Sequence, residues 1–333
     1  MGIAQEMSGA ATALLTTLSE DQRKLAAHPF NDDAARRWLE YRPEQRPGAC
    51  IAELSLPARK AAHRLLATAL SDHAYAQAMT IIALEEVLDR QEAWTRNRHS
   101  GDYWVNIFGD PETANPWGWR FEGHHLSVSM TIAGAEVSPA PVFFGAHPAR
   151  VSYAGRTVSR PLAPEEDLAR ALLDAMGPTG RAEAIVAPKA PADIRSGPNP
   201  AAVDVIEPRG VAASKLGPTA RAVLGHLVAL YLDRLPPELA ARETAAIETA
   251  AIETAAAEFG GTDLHFAWEG PQIPGTRHYY RIQGNDLLIE YDNADDGNHA
   301  HTVLRRPRSD FGADLLAQHL RQEHDPAGRG AAG

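Results

Sequence analysis

Apolar positions recur at helical spacing through the first 95 residues and at strand spacing after residue 100. Leu14, Leu15 and Leu18 mark one helical stripe. Ser19 followed by Glu20 and Asp21 starts a second helix, because acids in a first turn complement the positive end of the helix dipole. Residues 56–70 and 71–94 repeat the pattern, the latter with Ala78, Ile81, Ile82, Leu84 and Leu88 on or near one face and Ser71 as its N-cap. From Tyr103 the period falls to two. The 103–108 run ends at the turn signal Gly109-Asp110-Pro111, and residues 117–122 lead into a run from His124 to Ile132. There Leu126, Val128, Met130 and Ile132 alternate with Ser127, Ser129 and Thr131. Ala133-Gly134 is a turn, and 136–144 returns as a partner strand that Pro139 and Pro141 mark as an edge or a bulge.

A second round follows. Glu165, Glu166 and Asp167 after Pro164 open a helix, and 219–235 forms another. The duplicated Glu-Thr-Ala-Ala-Ile stretch from Glu243 has a period of five that fits no helix face, so it reads as a solvated helix. Strand texture returns at 264–268, 278–283, 287–292 and 299–304, with 284–286 as a hairpin turn. A last helix is expected over 313–323 and a disordered tail over 326–333. Helical and strand stretches are segregated, which predicts an α+β fold: a central, mostly antiparallel sheet flanked by helices. One large domain over 1–325 would contain a helical segment 1–95, a strand block 100–150, a helical segment 160–259 and a second strand block 262–306. Each half runs through a Trp-bearing strand, a histidine-bearing hairpin, a loop and a helix, the order of an internal pseudo-repeat.

Composition narrows the functional classes. A net charge of −11 over 333 residues disfavours nucleic-acid and anionic-membrane partners. No apolar run reaches the ~18 residues of a membrane span. The first residues lack the basic and apolar regions of a signal peptide, so a cytoplasmic protein is expected. The single cysteine, Cys50, excludes an intrachain disulfide or a cysteine-rich zinc site and reads as a buried, inert thiol. Nucleotide-binding glycine loops, His-Glu-x-x-His and Gly-x-Ser-x-Gly are all absent from the sequence.

The chemistry concentrates in the strand blocks, where imidazoles and charges are costly unless paired or bound. His299 and His301 stand two apart, so they share a strand face and are spaced to share a metal. Glu290 and Asp292 repeat that spacing with carboxylates. Together with His124 or His125 they define expected metal ligands (His124, His125, His299, His301 and Glu290) for a divalent iron, copper or zinc ion, with positions left open for chemistry. The alternative is a metal-free polar network around the same groups. Glu290, Asp292, Arg281 and His278 are the expected acid–base and anchoring residues. Arg281, Arg305, Tyr280 and Trp119 are expected substrate contacts, although Arg281 would equally pair with Glu290 across the hairpin. The tryptophans at 104, 117, 119 and 268 either wall a pocket or fill the core.

Seven short blocks in order carry a family resemblance: 117–119 (Trp-Gly-Trp), 122–126 (Glu-Gly-His-His-Leu), 143–148 (Phe-Phe-Gly-Ala-His-Pro), 279–282 (Tyr-Tyr-Arg-Ile), 290–293 (Glu-Tyr-Asp-Asn), 298–301 (Asn-His-Ala-His) and 310–314 (Asp-Phe-Gly-Ala-Asp). The chain resembles the DUF3500 family over most of its length. It departs at Ala300, where a branched aliphatic residue is expected, and at Leu304, where a tryptophan is expected. The family implies no established reaction, so the resemblance speaks to the position of the site and not to its chemistry. The leading expectation is a metal-dependent enzyme acting on a small polar or anionic molecule, with oxidative chemistry at iron or copper ahead of zinc hydrolysis on histidine richness alone. The alternatives are a hydrolase or isomerase using a histidine–carboxylate pair, and a non-catalytic protein that binds a small molecule or a metal. The sequence does not set the oligomeric state.

Overall fold

The computed structural model describes residues 2–96, 99–255, 263–284 and 286–317. The expected tail at 326–333 and the end of the last helix lie outside them. Eight strands dominate: β1 (Tyr103–Phe108), β2 (Trp117–Gly123), β3 (Leu126–Ala133), β4 (Val142–Ala146), β5 (His265–Glu269), β6 (His278–Gly284), β7 (Leu287–Ala294) and β8 (His299–Arg305). They run side by side in the order β1-β2-β3-β4-β8-β7-β6-β5 within a 13-stranded sheet. Each consecutive pair is antiparallel, so two meanders meet at the β4–β8 seam.

The outer edges match as well. Ala27–His28 lies parallel to β1 and Ile185–Ala187 parallel to β5, while Ala49–Cys50 and Val211–Ala212 pair antiparallel with the same two strands. Each of the two outer strands thus carries one parallel and one antiparallel partner. The prolines at 139 and 141 interrupt the return strand as expected: Glu136–Ser138 and Val142–Ala146 pair with β3 separately.

The helices form where caps and periodicity place them. Ser19 and Gln22 close a capping box on Glu20–Ala26, and Ser55 accepts from the Ala58 N–H at the start of Leu56–Ala69. Ser71 occupies the N-cap of Asp72–Gln91, but its hydroxyl donates to the Asp233 carbonyl at 2.6 Å and ties this helix to the end of Pro218–Leu232. No described helix is long and apolar enough to cross a membrane. The helices cover one face of the sheet, where Val105, Phe121, Val128, Phe144, Ile282 and Ile289 join a single apolar core with them.

The opposite face is polar and equally buried. Arg120, Glu122, Glu269, Arg281, Glu290 and Arg305 are all 0–1% exposed. Charges at that depth persist only with partners. Arg120 meets Glu122, Arg281 meets Glu269, and Arg305 meets Asp310, each at 2.7 Å. Two largely irregular segments, 29–48 with a single short helix at Asp33–Arg36, and 188–210, strap this face. Arg120 donates to the Ala35 carbonyl at 2.8 Å, and the backbone N–H of Arg195 donates to Glu290 at 2.6 Å. The straps touch where the Tyr41 hydroxyl donates to Asp193 at 2.7 Å, above a small second core of Leu39, Tyr41, Phe143, Ile194, Val303 and Phe311.

His278 faces the helices. It stacks on Trp268 at 4.8 Å between centroids and on Tyr291 at 5.4 Å. Glu166 stands 3.7 Å away, yet burial outweighs it and pushes His278 down to about 4. The imidazole is therefore neutral in the fold and protonated in the unfolded chain below its ordinary value. Stability from this group is intact above pH 6.5 and is lost as the pH falls toward 4, on the order of 3 kcal/mol. Denaturant titrations between pH 7 and pH 4 should show this loss, and His278→Phe, which keeps the stacking, should reduce it, while the buried His125 and His299 leave a remaining loss of the same sign.

Candidate metal centre

The site forms at one end of the β4–β8 seam. Gly123 of β2 pairs with Leu126 of β3, so His124 and His125 are a two-residue hairpin connection and not part of a continuous strand. Such connections ordinarily use Asn, Asp or Gly, which tolerate positive φ. His125 sits at φ 63, and its surroundings hold it there. Its N–H donates to the Tyr41 carbonyl at 3.0 Å, and its carbonyl accepts from the Gly145 N–H at 2.7 Å. The Tyr103 hydroxyl donates to the His124 carbonyl at 2.8 Å. Two glycines make the room: a Cβ on Gly123 would lie 2.3 Å from the Tyr103 ring, and one on Gly145 would lie 2.7 Å from the His125 ring.

The hairpin tip delivers His125 to the start of β8. His125 Nε2 and His299 Nε2 are 2.9 Å apart. His299 Nδ1 faces Asp295 at 2.8 Å, a carboxylate that favours the proton on that nitrogen and leaves Nε2 as the electron-pair donor. His301 Nδ1 faces Asp193 at 3.1 Å and Asp292 at 3.3 Å. His147 stacks on His299 at 4.3 Å. On the other side His124 stacks on His125 at 3.7 Å, and its Nδ1 bonds Glu85 of the Asp72–Gln91 helix. Three overlapping groups can each bring ligand atoms within 4.8 Å of one another: His125 with His299 and His301, Glu85 with His124 and His125, and Asp193 with Asp292 and His301.

Burial sets the charge states. It holds His125 well below the ordinary imidazole value, aided by the surrounding histidines, and it lowers His147. Burial, then the charge on His301, pushes His299 down to about 4. Burial also opposes charge on His301, but Asp292 and Asp193 overcome it and raise His301 to about 10. Asp292 itself is pushed up to about 6 by burial, against the pull of His301. Near neutral pH, His301 is a cation beside the neutral imidazoles of His125, His147 and His299 and sits against its acids.

The expected site residues separate accordingly. His124, His125, His299, His301 and Asp292 converge. Glu290 shares a face with Asp292 but accepts from the Tyr279 hydroxyl at 2.8 Å and from strap N–H groups, and it joins none of the ligand groups among the described residues. Arg281 lies opposite Glu290 in register yet ion-pairs with Glu269. Arg305 is held by Asp310. His278, Tyr280 and Trp119 lie on the helix-covered face. Tyr280 shares a hydrogen bond with the Tyr231 hydroxyl at 2.7 Å, and Trp119, Trp117 and Trp268 pack in the core.

Trp104 instead borders a cavity of about 330 Å³ beside His124, with Arg46, Glu85, Asp102 and a half-buried Cys50. Sequence reasoning did not single out Glu85, His147, Asp193 or Asp295. His147 alone carried a signal, from its place in the 143–148 block.

These features define a buried histidine–carboxylate cluster at the seam of a strapped antiparallel sheet, with donor atoms close enough together to hold a metal ion. The chain belongs to the DUF3500 family, proteins of unknown function, whose profile matches residues 2–313. No curated protein and no solved structure matches the chain.

Proposed function

We propose that the chain is a metal-dependent enzyme whose divalent ion is held by His125, His299 and His301. The observation that carries this reading is the convergence of three imidazoles, two of them with Nδ1 already engaged by carboxylates. Carboxylate-oriented histidines are the usual second layer of a metal site. Three imidazoles suit zinc, copper or iron and leave positions for water or substrate. The cavity beside His124 offers a small polar molecule an approach.

A second arrangement keeps oxidative chemistry ahead of hydrolysis. Glu85, His124 and His125 form a two-histidine, one-carboxylate set of the type non-haem iron uses. On zinc, the same open positions would support an activated water. On this reading the enzyme works in the cytoplasm on a small molecule, and a net charge of −11 disfavours nucleic acid as its partner.

Metal analysis of untagged, chelator-free protein should find stoichiometric metal, and adding the matching ion to stripped protein should raise its melting temperature. If no metal is found and zinc, iron and copper all leave the melting temperature unchanged, the reading fails. Activity that survives a chelator would point to metal-free catalysis by the same histidine–carboxylate pairs.

A further inference from the structure

We infer a second ligand site, for a small organic carboxylate with an apolar body, between the helix Leu56–Ala69 and the sheet. A cavity of about 400 Å³ lies there, within the size range of small-molecule sites. Ile51, Ile82, Tyr103 and Phe121 supply apolar walls, and Arg59 and His63 supply polar groups. Those two residues stand four apart on one helix, so they present neighbouring side chains. The His63 ring tilts against Phe121 at 6.0 Å between centroids. Its Nδ1 is buried without a hydrogen-bond partner among the described residues. Burial and the nearby Arg59 charge hold His63 below its ordinary value, which leaves a neutral imidazole able to donate one proton.

Arg59 is exposed at the border of the cavity and ion-pairs with no carboxylate among the described residues. The other polar wall residues are already engaged: Ser100 bonds Glu86 at 2.8 Å, and His99 Nδ1 accepts from the Gly101 N–H at 3.0 Å. A guanidinium fork without an ion-pair partner among the described residues, beside the His63 ring at the border of a chamber with one apolar wall, matches a carboxylate head and an apolar body. A single cation with no cluster of backbone donors is a poorer match to a phosphate. Tyr103 walls this cavity and also donates to the His124 carbonyl. The inference stands on its own residues and does not require a metal.

The test titrates chelator-treated full-length protein with benzoate and hexanoate, and separately with benzyl alcohol and 1-hexanol, by calorimetry and thermal shift. The acids should bind saturably and at least about tenfold more tightly than the alcohols, the size of one charge-assisted contact. Arg59→Gln, at an exposed position, should fold normally and abolish that preference. His63→Leu should weaken the acids and spare the alcohols. Repeating the titration in His125→Asn should change nothing, which separates this site from an acid bound at a metal. The inference is overturned if neither acid binds saturably, if Arg59→Gln binds the acids as well as the unaltered protein, or if binding disappears with His125→Asn.

Discussion

His125→Asn is expected to lower metal affinity by at least about 100-fold, more than loss of an outer hydrogen-bonding partner usually costs, while leaving the protein folded. Asparagine is chosen for the backbone. His125 sits at φ 63, and asparagine is among the few residues that occupy this region readily. The bonds that fix the turn, to the Tyr41 carbonyl and from the Gly145 N–H, are backbone bonds and survive the change. Only the imidazole is lost, and with it the group common to two of the three ligand sets. Competition with a coloured chelator measures the affinity, and circular dichroism checks the fold. A His125→Asn protein that keeps its metal would remove the assignment of the centre.

Glu269→Ala should destabilise the fold by roughly 3–5 kcal/mol, the range for orphaning a buried ionic partner. Glu269 accepts from Arg281 at 2.7 Å and from Arg195 of the second strap at 2.9 Å. Without it, the fully buried Arg281 guanidinium keeps the carbonyls of Ile206 and Pro208 and the Tyr279 ring but, among the described residues, no carboxylate partner. The strap would also lose one of its two ties through Arg195, so cleavage within 188–210 in limited proteolysis should accelerate. Changing Glu269 and Arg281 together to methionine should recover most of the stability, since no charge is then stranded. A loss below about 1 kcal/mol in denaturant titration would mean that water reaches this face and screens the pair.

The long periodic elements were legible because burial of one face imposes a period on the sequence. Strands 103–108, 278–284 and 299–305 end within a residue of where alternation stops. The hairpin tip at His124–His125 was not legible. The hairpin between Gly284 and Leu287 places Asp286 at φ 56, and there an Asn-Asp pair after glycine announces a turn. Two histidines announce nothing, and the contacts that bend the chain there come from Tyr41, Tyr103 and Gly145, all distant in sequence.

Residues two apart on a strand share a face, so Tyr279 falls with Arg281 and His278 with Tyr280, as the strand register has them. Parity does not say which face of a sheet the straps will cover. Sequence therefore placed His278 and Tyr280 in the site, and the structure places them against the helices. Tyr41, Asp193 and the two-residue edge strands have no period to read, because the straps follow the polar face and not a repeating apolar one.

His125 and His299 are 174 positions apart along the chain, and the seam between β4 and β8 brings their hairpins together. An ion bridging them would act as a clasp across the two meanders. Because closure entropy grows only slowly with loop length, the cost of bringing such remote segments together is mostly met once the seam zips. The clasp would then resist separation of the halves far more than fraying within either one. The spectroscopic signal of a bound ion would report when the two halves join during refolding, and its loss would mark the moment they part.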